Sequence, residues 1–413
     1  MPKKKYKKQM EKTAKKYWLE ILCVILALVI IFVVCYYTID AFKVKVDGWI
    51  ASISQPSENG SGSNSDTNFD TDSNTNGDTD SSSNPSGGDI LAKYQQYSED
   101  YSYYDFPVTT RTEKYVEVHF IDIGQGDCMF IQLPDGKTMM IDSGDTSNKN
   151  KATIKEYLTD KLHVEKIDYV LATHQDKDHI GNFDYVYKNY SIGYTFLPYV
   201  HSSHESTSAL STKLNPPANG GLVSATKTYA DLLLSVEAEG TEYSFFNYNS
   251  DFGNESEGYF FDFLTPTQEV ANIKYTDSND YSPMILFTYG GFDLLFTGDA
   301  EKQTIKEYLD TYGNRYDVDL LKVGHHGSYT STTKELLDAI NPEYAVIQVG
   351  LNNKHKHPRQ EALDLLYQND MTKIFRNDLH GDIVLTINSD GTFFITAENT
   401  DVSYGRALTG ISV

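Results

Sequence analysis

The stretch Thr173-His174-Gln175-Asp176-Lys177-Asp178-His179-Ile180-Gly181-Asn182 follows directly on the apolar run Ile167-Asp168-Tyr169-Val170-Leu171-Ala172. The run reads as a buried strand, so its end releases His, Asp, Asp and His into one loop. Imidazoles and carboxylates beside a core are costly unless something compensates them, and a divalent cation is the usual compensation. A lone His or Asp at a strand end is ordinarily a solvated turn residue. Four in the order His-x-Asp-x-Asp-His mark a candidate metal site, and Gly181 lets the chain pack closely just beyond it.

On either side of this loop, short apolar strands alternate with amphipathic helices from about residue 113 to 413. Strands are expected at Tyr115–Asp122, Cys128–Leu133 and Thr138–Ile141, the last two joined by the turn Pro134-Asp135-Gly136-Lys137. A helix over about Lys151–Leu162 precedes the strand Ile167–Ala172. A helix at Phe183–Tyr190, a strand at Gly193–Val200, a polar insertion over 201–223 and a helix at Thr226–Val236 follow. The second half repeats the rhythm. Strands Tyr259–Leu264, Met284–Thr288 and Phe292–Thr297 lead to helix Glu301–Tyr312, strand Val318–Val323, helix Thr333–Ile340, strand Tyr344–Val349, helix Glu361–Gln368 and a hairpin turning at Asn388–Gly391. Two halves, each with antiparallel-looking strands and outer helices, suggest a four-layer αββα sandwich whose strand-end loops meet at one edge.

Those loops carry the other candidates. Asp142 ends Met139-Met140-Ile141-Asp142-Ser143-Gly144, Asp299 ends Leu294-Leu295-Phe296-Thr297-Gly298-Asp299, and His325 and His326 follow Leu320-Leu321-Lys322-Val323-Gly324. Singly, Asp142 and Asp299 also suit helix caps or turns, and Gly298-Asp299-Ala300-Glu301 suits the cap of the helix after it. Two adjacent imidazoles gain nothing from capping.

The set resembles the metallo-β-lactamase fold superfamily, and more closely the soluble domain of ComEC-type DNA-uptake competence proteins. The resemblance rests on Phe120-Ile121-Asp122-Ile123-Gly124-Gln125-Gly126-Asp127, Thr173–Gly181, Phe296-Thr297-Gly298-Asp299 and Leu321-Lys322-Val323-Gly324-His325-His326-Gly327-Ser328. Val349-Gly350-Leu351-Asn352-Asn353, His357-Pro358 and the closing hairpin extend it. It implies an α/β, four-layer αββα metallo-β-lactamase sandwich holding two divalent metal ions, Zn or Mn. The implied ligands are His174, Asp176, Asp178, His179, Asp299 as the bridging carboxylate, and His326. His325 then lines the site, Asp142 orients a ligand His, and His357 lies near the pocket.

Two departures shape the chemistry. Asp176 stands where most of the superfamily has His, and the middle His of lactamases has no counterpart, Ser278-Asn279-Asp280 standing in that region. Exchanging nitrogen for oxygen moves the site toward Mn²⁺ and away from lactam chemistry. Two cations sharing Asp299 would lower the pKa of a bridging water and offset charge on a phosphoryl group. Asp178 and His325 are the expected catalytic residues, with Asp142, Asn279 and His357 either behind the ligands or toward substrate. Metal-dependent hydrolysis of a phosphodiester, by a phosphodiesterase or nuclease using a metal-bound hydroxide, is the expected activity. Esterase action on phosphorylcholine of teichoic acid is the alternative enzyme, and a non-catalytic, metal-stabilised surface binding domain the alternative of another class. No serine or cysteine nucleophile is required, and Cys128 sits in an apolar strand as an inert thiol.

The N-terminal part reads differently. Eight lysines against two acids in residues 1–20 form a basic tail, and residues 21–39 form an uncharged span long enough for a transmembrane signal anchor. No small-x-small cleavage site follows. The lysines place the N-terminus in the cytoplasm and the remainder outside. A juxtamembrane segment over 40–53, a Ser/Asn/Gly/Asp linker over 54–89 expected to be disordered, and a transition segment over 90–112 lead to a hydrolase domain over 113–413. Of three cysteines, Cys23 and Cys35 lie in the span, so the exported part cannot form an internal disulfide, as is ordinary for a Gram-positive surface protein. With the +6 of the first twenty residues set aside, the formal −23 of the whole becomes −29 for the rest. That balance opposes a long nucleic acid unless Lys322, Lys354, Lys356 and Arg359 make the mouth of the site basic. The expected partners are a phosphodiester-containing substrate, nucleic acid or cell-wall polymer, and the membrane; no protein partner is inferred.

Overall fold

The computed structural model describes residues 110–201, 214, 223, 225–368 and 373–399. The basic tail, membrane span, juxtamembrane segment, linker, nearly all of the transition segment and most of the polar insertion expected from sequence lie outside the described residues. Among the described residues no helix is long and apolar enough to cross a membrane.

The first half runs through strands β1 (Tyr115–Phe120), β2 (Met129–Gln132) and β3 (Thr138–Ile141), helix α1 (Asn148–Ile154) and strand β4 (Lys166–Leu171). Helix α1 continues as a wider π-type turn over Lys155–Lys161. A short helix α2 (Lys177–Ile180), helix α3 (Phe183–Asn189), strand β5 (Ser191–Leu197), helix α4 (Lys227–Glu239) and strand β6 (Glu242–Phe245) follow. The second half contains β7 (Phe252–Asn254), β8 (Tyr259–Phe263), β9 (Ile285–Tyr289), β10 (Phe292–Phe296), α5 (Lys302–Tyr312), β11 (Leu320–Lys322), α6 (Lys334–Ile340) and β12 (Tyr344–Ile347). It closes with α7 (Gln360–Gln368), β13 (Lys373–Arg376), α8 (Asn377–His380), β14 (Ile383–Asn388) and β15 (Phe393–Ala397).

One sheet has the order β15-β14-β1-β2-β3-β4-β5-β6 and the other β13-β12-β11-β10-β9-β8-β7. Period-two alternation sorts the side chains between layers. Val116, Val118, Phe120, Met139, Ile141, Leu294, Phe296 and Leu320 meet between the sheets. Phe130, Met140, Ile167 and Val170 point outward from the first sheet onto Ile154, Tyr157, Phe183, Val186, Leu233 and Val236 of its helices. Leu295, Leu321, Ala345 and Ile347 do the same on the second sheet, under Ile305, Tyr308, Leu336, Ile340, Leu363 and Leu366. Three apolar seams between four layers make an αββα sandwich, with each fully buried large side chain contributing about 1.5–3 kcal/mol.

The antiparallel reading of the halves is corrected. β3, β4, β5 and β6 run parallel to one another, as do β10, β11, β12 and β13. The reason is connectivity: strands joined across a helix return parallel, whereas the hairpins, the β8–β9 pair and the β1–β14 pair are antiparallel. The halves also share strands, because β14 pairs with β1 in register from Tyr115↔Asn388 to Phe120↔Ile383. Parallel strands send their C-terminal ends to the same edge, and β3, β4, β10, β11 and β12 therefore deliver their following loops together.

Candidate metal centre

Backbone geometry at that edge is unusual before any side chain is considered. Asp142 after β3, and His325 and His326 after β11, have φ of 58°, 48° and 53°. Left-handed backbone at a non-glycine residue costs on the order of 1–3 kcal/mol and persists where the surroundings impose it, often at functional sites. Gly181 packs where a Cβ would stand 2.3 Å from Lys177 O, 2.4 Å from Thr146 N and 2.7 Å from Gly144 O. This close approach lets the β4 loop fold onto the β3 loop, fastened by Gly181 N donating to Gly144 O at 3.0 Å.

Hydrogen bonding fixes each imidazole the same way round. Carboxylates and carbonyls only accept, so the nitrogen facing one carries the proton. His179 Nδ1 donates to Asp142 Oδ2 at 2.8 Å, and His326 Nδ1 to the Gln348 carbonyl at 2.9 Å. His325 Nδ1 donates to Glu301 Oε1 at 2.8 Å. Thr173 Oγ1 gives its proton to Asp142 Oδ2 at 2.6 Å and so accepts from His174 Nδ1 at 3.1 Å. In the neutral form of each ring, Nε2 is thereby the nitrogen that keeps its lone pair.

Those lone pairs converge. His179 Nε2 lies 3.1 Å from Asp299 Oδ2, and His326 Nε2 lies 3.6 Å from both Asp299 Oδ2 and Asp178 Oδ2. His174 Nε2 is 3.9 Å from Asp176 Oδ2. Among the described residues, Nε2 of His174, His179 and His326 and Oδ1 of Asp299 are buried without a hydrogen-bond partner. Orphaned buried polar atoms are rare and call for an unseen ion or water. His174, His179 and Asp299 form one tight donor group, and Asp178, His179 and His326 another. The residues present fit divalent cations: neutral imidazole nitrogen and carboxylate oxygen suit Zn²⁺ or Mn²⁺.

Electrostatics point the same way. Burial, then the neighbouring His179, lowers the His174 pKa to about 4, keeping it a neutral donor. Burial alone would depress His326, but Asp299, Asp127 and Asp178 outweigh it and raise it to about 10. Asp178 stays below the usual carboxylate range although burial opposes it, chiefly through its bond to His326. Asp176 is raised to about 6 by burial and by nearby Asp178 and Asp299. With no cation, protons on His179 and His326 balance the surplus carboxylate charge; a cation would balance it instead.

The structure thus brings together His174, Asp176, Asp178, His179, Asp299 and His326, with Asp142 behind His179. His325 stands at the side, about a quarter exposed, its Nε2 3.7 Å from Asp299 Oδ2. His357 packs its ring 5.3 Å from that of His325, and burial followed by His325 and His326 lowers its pKa to about 3. Asn279 sits behind His325, its Nδ2 3.3 Å from Glu301 Oε1. A cavity of about 750 Å³ opens over Asp176, Asp178, Asp299, His325, His326 and His357, bordered by Gln125, Lys177, Lys354 and His355.

Two expectations are corrected. Lys322 does not serve a basic mouth: it is fully buried and its Nζ lies 2.7 Å from Asp127 Oδ2. Neither Asp299 nor Glu301 caps α5 with its side chain. Asp280 does so from another loop, accepting from Glu301 N, Gln303 N and Thr304 N at 3.0, 3.1 and 3.0 Å. That frees Glu301 to hold His325. Glu301, Asp127 and the Gln348 carbonyl have roles that no local pattern announces. Cys128 is a free, fully buried thiol whose pKa burial pushes far up.

Residues 121–195 match the metallo-beta-lactamase superfamily. ComE operon protein 3 of Bacillus subtilis is 28% identical over 295 residues, covering 68% of this chain and 34% of that protein. Competence protein ComA of Neisseria gonorrhoeae is 25% identical over 270 residues, covering 65% and 32%. The chain spans about a third of the length of these curated relatives. Among solved structures, the metallo-beta-lactamase fold protein YhfI from Bacillus subtilis is 13% identical with a TM-score of 0.37, over 68% of this chain and 99% of that one. Residues 121–195 thus match the metallo-beta-lactamase superfamily, and the chain is similar in sequence to part of these competence proteins.

Proposed function

We propose that this chain is a metal-dependent hydrolase acting on phosphodiester bonds outside the cell membrane. The observation that carries the reading is the convergence of three unpartnered imidazole nitrogens with Asp299, Asp178 and Asp176 at the floor of an open cavity. His174, Asp176 and Asp299 would hold one cation and Asp178, His179, His326 and Asp299 the other. When bound, such cations supply Lewis acidity and a water of lowered pKa.

The remaining residues position and balance. Asp142 and Gln348 hold His179 and His326 with Nε2 inward. His325 is raised above the ordinary imidazole range: Asp299 and the bond to Glu301 overcome burial, so it offers a proton toward a phosphoryl oxygen or leaving group. Lys354 at the cavity border would offset an anionic substrate, whereas Lys177 is already paired there with Asp145. Oxygen from Asp176, where most of the superfamily has nitrogen, favours Mn²⁺ and phosphoryl chemistry.

The test uses the full chain and Asp178→Asn. Bound Zn and Mn are quantified, and turnover of bis-(p-nitrophenyl) phosphate, p-nitrophenyl phosphorylcholine, single-stranded DNA and a chromogenic cephalosporin is measured. Turnover of the diester that is lost in Asp178→Asn is expected. Absence of stoichiometric metal and of all four activities would sink the reading and leave a binding domain. Turnover of the phosphorylcholine ester without DNA would select a cell-wall substrate.

The anchoring is proposed with it. Residues 21–39 would hold the domain at the outer membrane face on the 54–89 linker. Protease added to intact cells should release the domain, whereas full protection would reverse the topology.

A further inference from the structure

Beneath the centre lies a pair of charges that the ligand set does not use. Asp127 and Lys322 are both fully buried, with Lys322 Nζ 2.7 Å from Asp127 Oδ2 and donating also to Val323 O at 3.0 Å. A buried ion pair is a weak source of stability compared with apolar packing, so its presence asks for another use. With Oδ2 taken by Lys322, the other oxygen, Oδ1, lies 3.3 Å from His326 Nδ1. The backbone of Asp127 meets the opposite half of the site. Its N–H donates to Asp178 O at 3.1 Å, and its carbonyl accepts from Gly144 N at 2.8 Å. The approach depends on Gly126, where a Cβ would stand 2.2 Å from Asp178 O. Asp127 therefore touches the residue that carries one ligand from the first half, Asp178, and the ring of one from the second, His326. Neither His174 nor Asp176 is among its described hydrogen-bond partners.

We propose that Asp127, clamped by Lys322, is a positioning residue that sets the span between Asp178 and His326 and so governs the cation on that side of the centre alone. The inference rests on the reading that the centre binds divalent cations. Outer partners of metal ligands act by fixing ring orientation, and their loss weakens metal binding about 10–100-fold. Here the effect is one-sided because the two ligands Asp127 contacts, Asp178 and His326, fall in one donor group and neither falls with His174 and Asp299; only His179, near Asp127 as well, is shared by both groups.

The full chain, stripped by chelator, is titrated with Mn²⁺ and separately with Zn²⁺, with metal content measured on the same samples. Wild type is expected to bind two equivalents. In Asp127→Asn one equivalent should weaken about 10–100-fold while the other stays within about twofold. Lys322→Met should shift the same equivalent in the same direction. The double variant Asp127→Asn with Lys322→Met buries no unpaired charge and is read identically, so failure of a single variant to fold leaves the test intact. A merely structural role would weaken both equivalents together and lower the melting temperature of the chelated protein; that outcome, or unchanged binding, overturns the proposal. A wild type that binds neither cation overturns the metal reading, and this inference with it.

Discussion

Asp142 and His179 form the innermost contact of the centre: both side chains are fully buried, and His179 Nδ1 meets Asp142 Oδ2 at 2.8 Å. The same carboxylate accepts from Thr173 N at 2.9 Å and Thr173 Oγ1 at 2.6 Å. One carboxylate thus fixes His179 directly and His174 through a threonine hydroxyl. Asp142→Ala should weaken metal binding about 10–100-fold, read by competition with a chromogenic chelator. Thr173→Val, which removes the link to His174 but leaves the Asp142–His179 bond in place, should have the smaller effect. Equal losses in the two variants would refute the shared role.

Gly181 makes a second prediction, on stability. A methyl there meets three backbone atoms within 2.7 Å, and none of them is the end of a flexible side chain. Gly181→Ala should cost about 1–3 kcal/mol or more through overpacking, seen as a lower urea midpoint with unchanged slope. A midpoint equal to wild type would show that the β3 and β4 loops yield easily.

Asp280 supplies the third. It accepts three N–H groups from the start of α5, whose first residues carry Glu301 to His325. Asp280→Ala should cost about 1–2 kcal/mol, as cap removal generally does, and should lower diester turnover more than it lowers metal binding. The reverse pattern would place Asp280 nearer the cations than the structure does.

The fourth concerns acid. His119 is buried on the outer face of β1 between Tyr157 Oη and Gln132 Oε1, each at 3.1 Å. Burial lowers its pKa to about 4, against about 6.5 in an unfolded chain. Between these values the unfolded chain binds a proton that the folded chain does not, so stability is complete above pH 6.5 and drains away as pH falls toward 4. His119→Gln should flatten the decline in urea midpoint between pH 7.5 and 5. His380, also lowered to about 4, remains in both proteins as a common background. Parallel curves for the two proteins would count against His119.

The legible parts of the molecule were those written locally. Ile167–Ala172 followed by His, Asp, Asp and His could be read because a strand and its loop are contiguous, and alternation along β1, β3 and β10 showed which faces are buried. Lys322 misled for the opposite reason. Its partner Asp127 is 195 residues away, and a buried lysine looks like any other lysine until the two strands are placed. Glu301 was read as part of a cap, but the cap comes from Asp280, in a different loop. Strands β6, β7 and β13 are not among the strands expected from sequence, and length alone does not explain it, since β3 and β11 are as short.

The pairing of β14 with β1 has a temporal consequence. A chain made from its N-terminus presents the β1 edge long before Ile383–Asn388 emerges to cover it. Such an uncovered edge invites pairing with another chain. The first sheet cannot be completed until residues 383–388 have been made, so the domain should mature as a late, single event, and a ribosome that stalls before residue 383 would release a chain prone to stick.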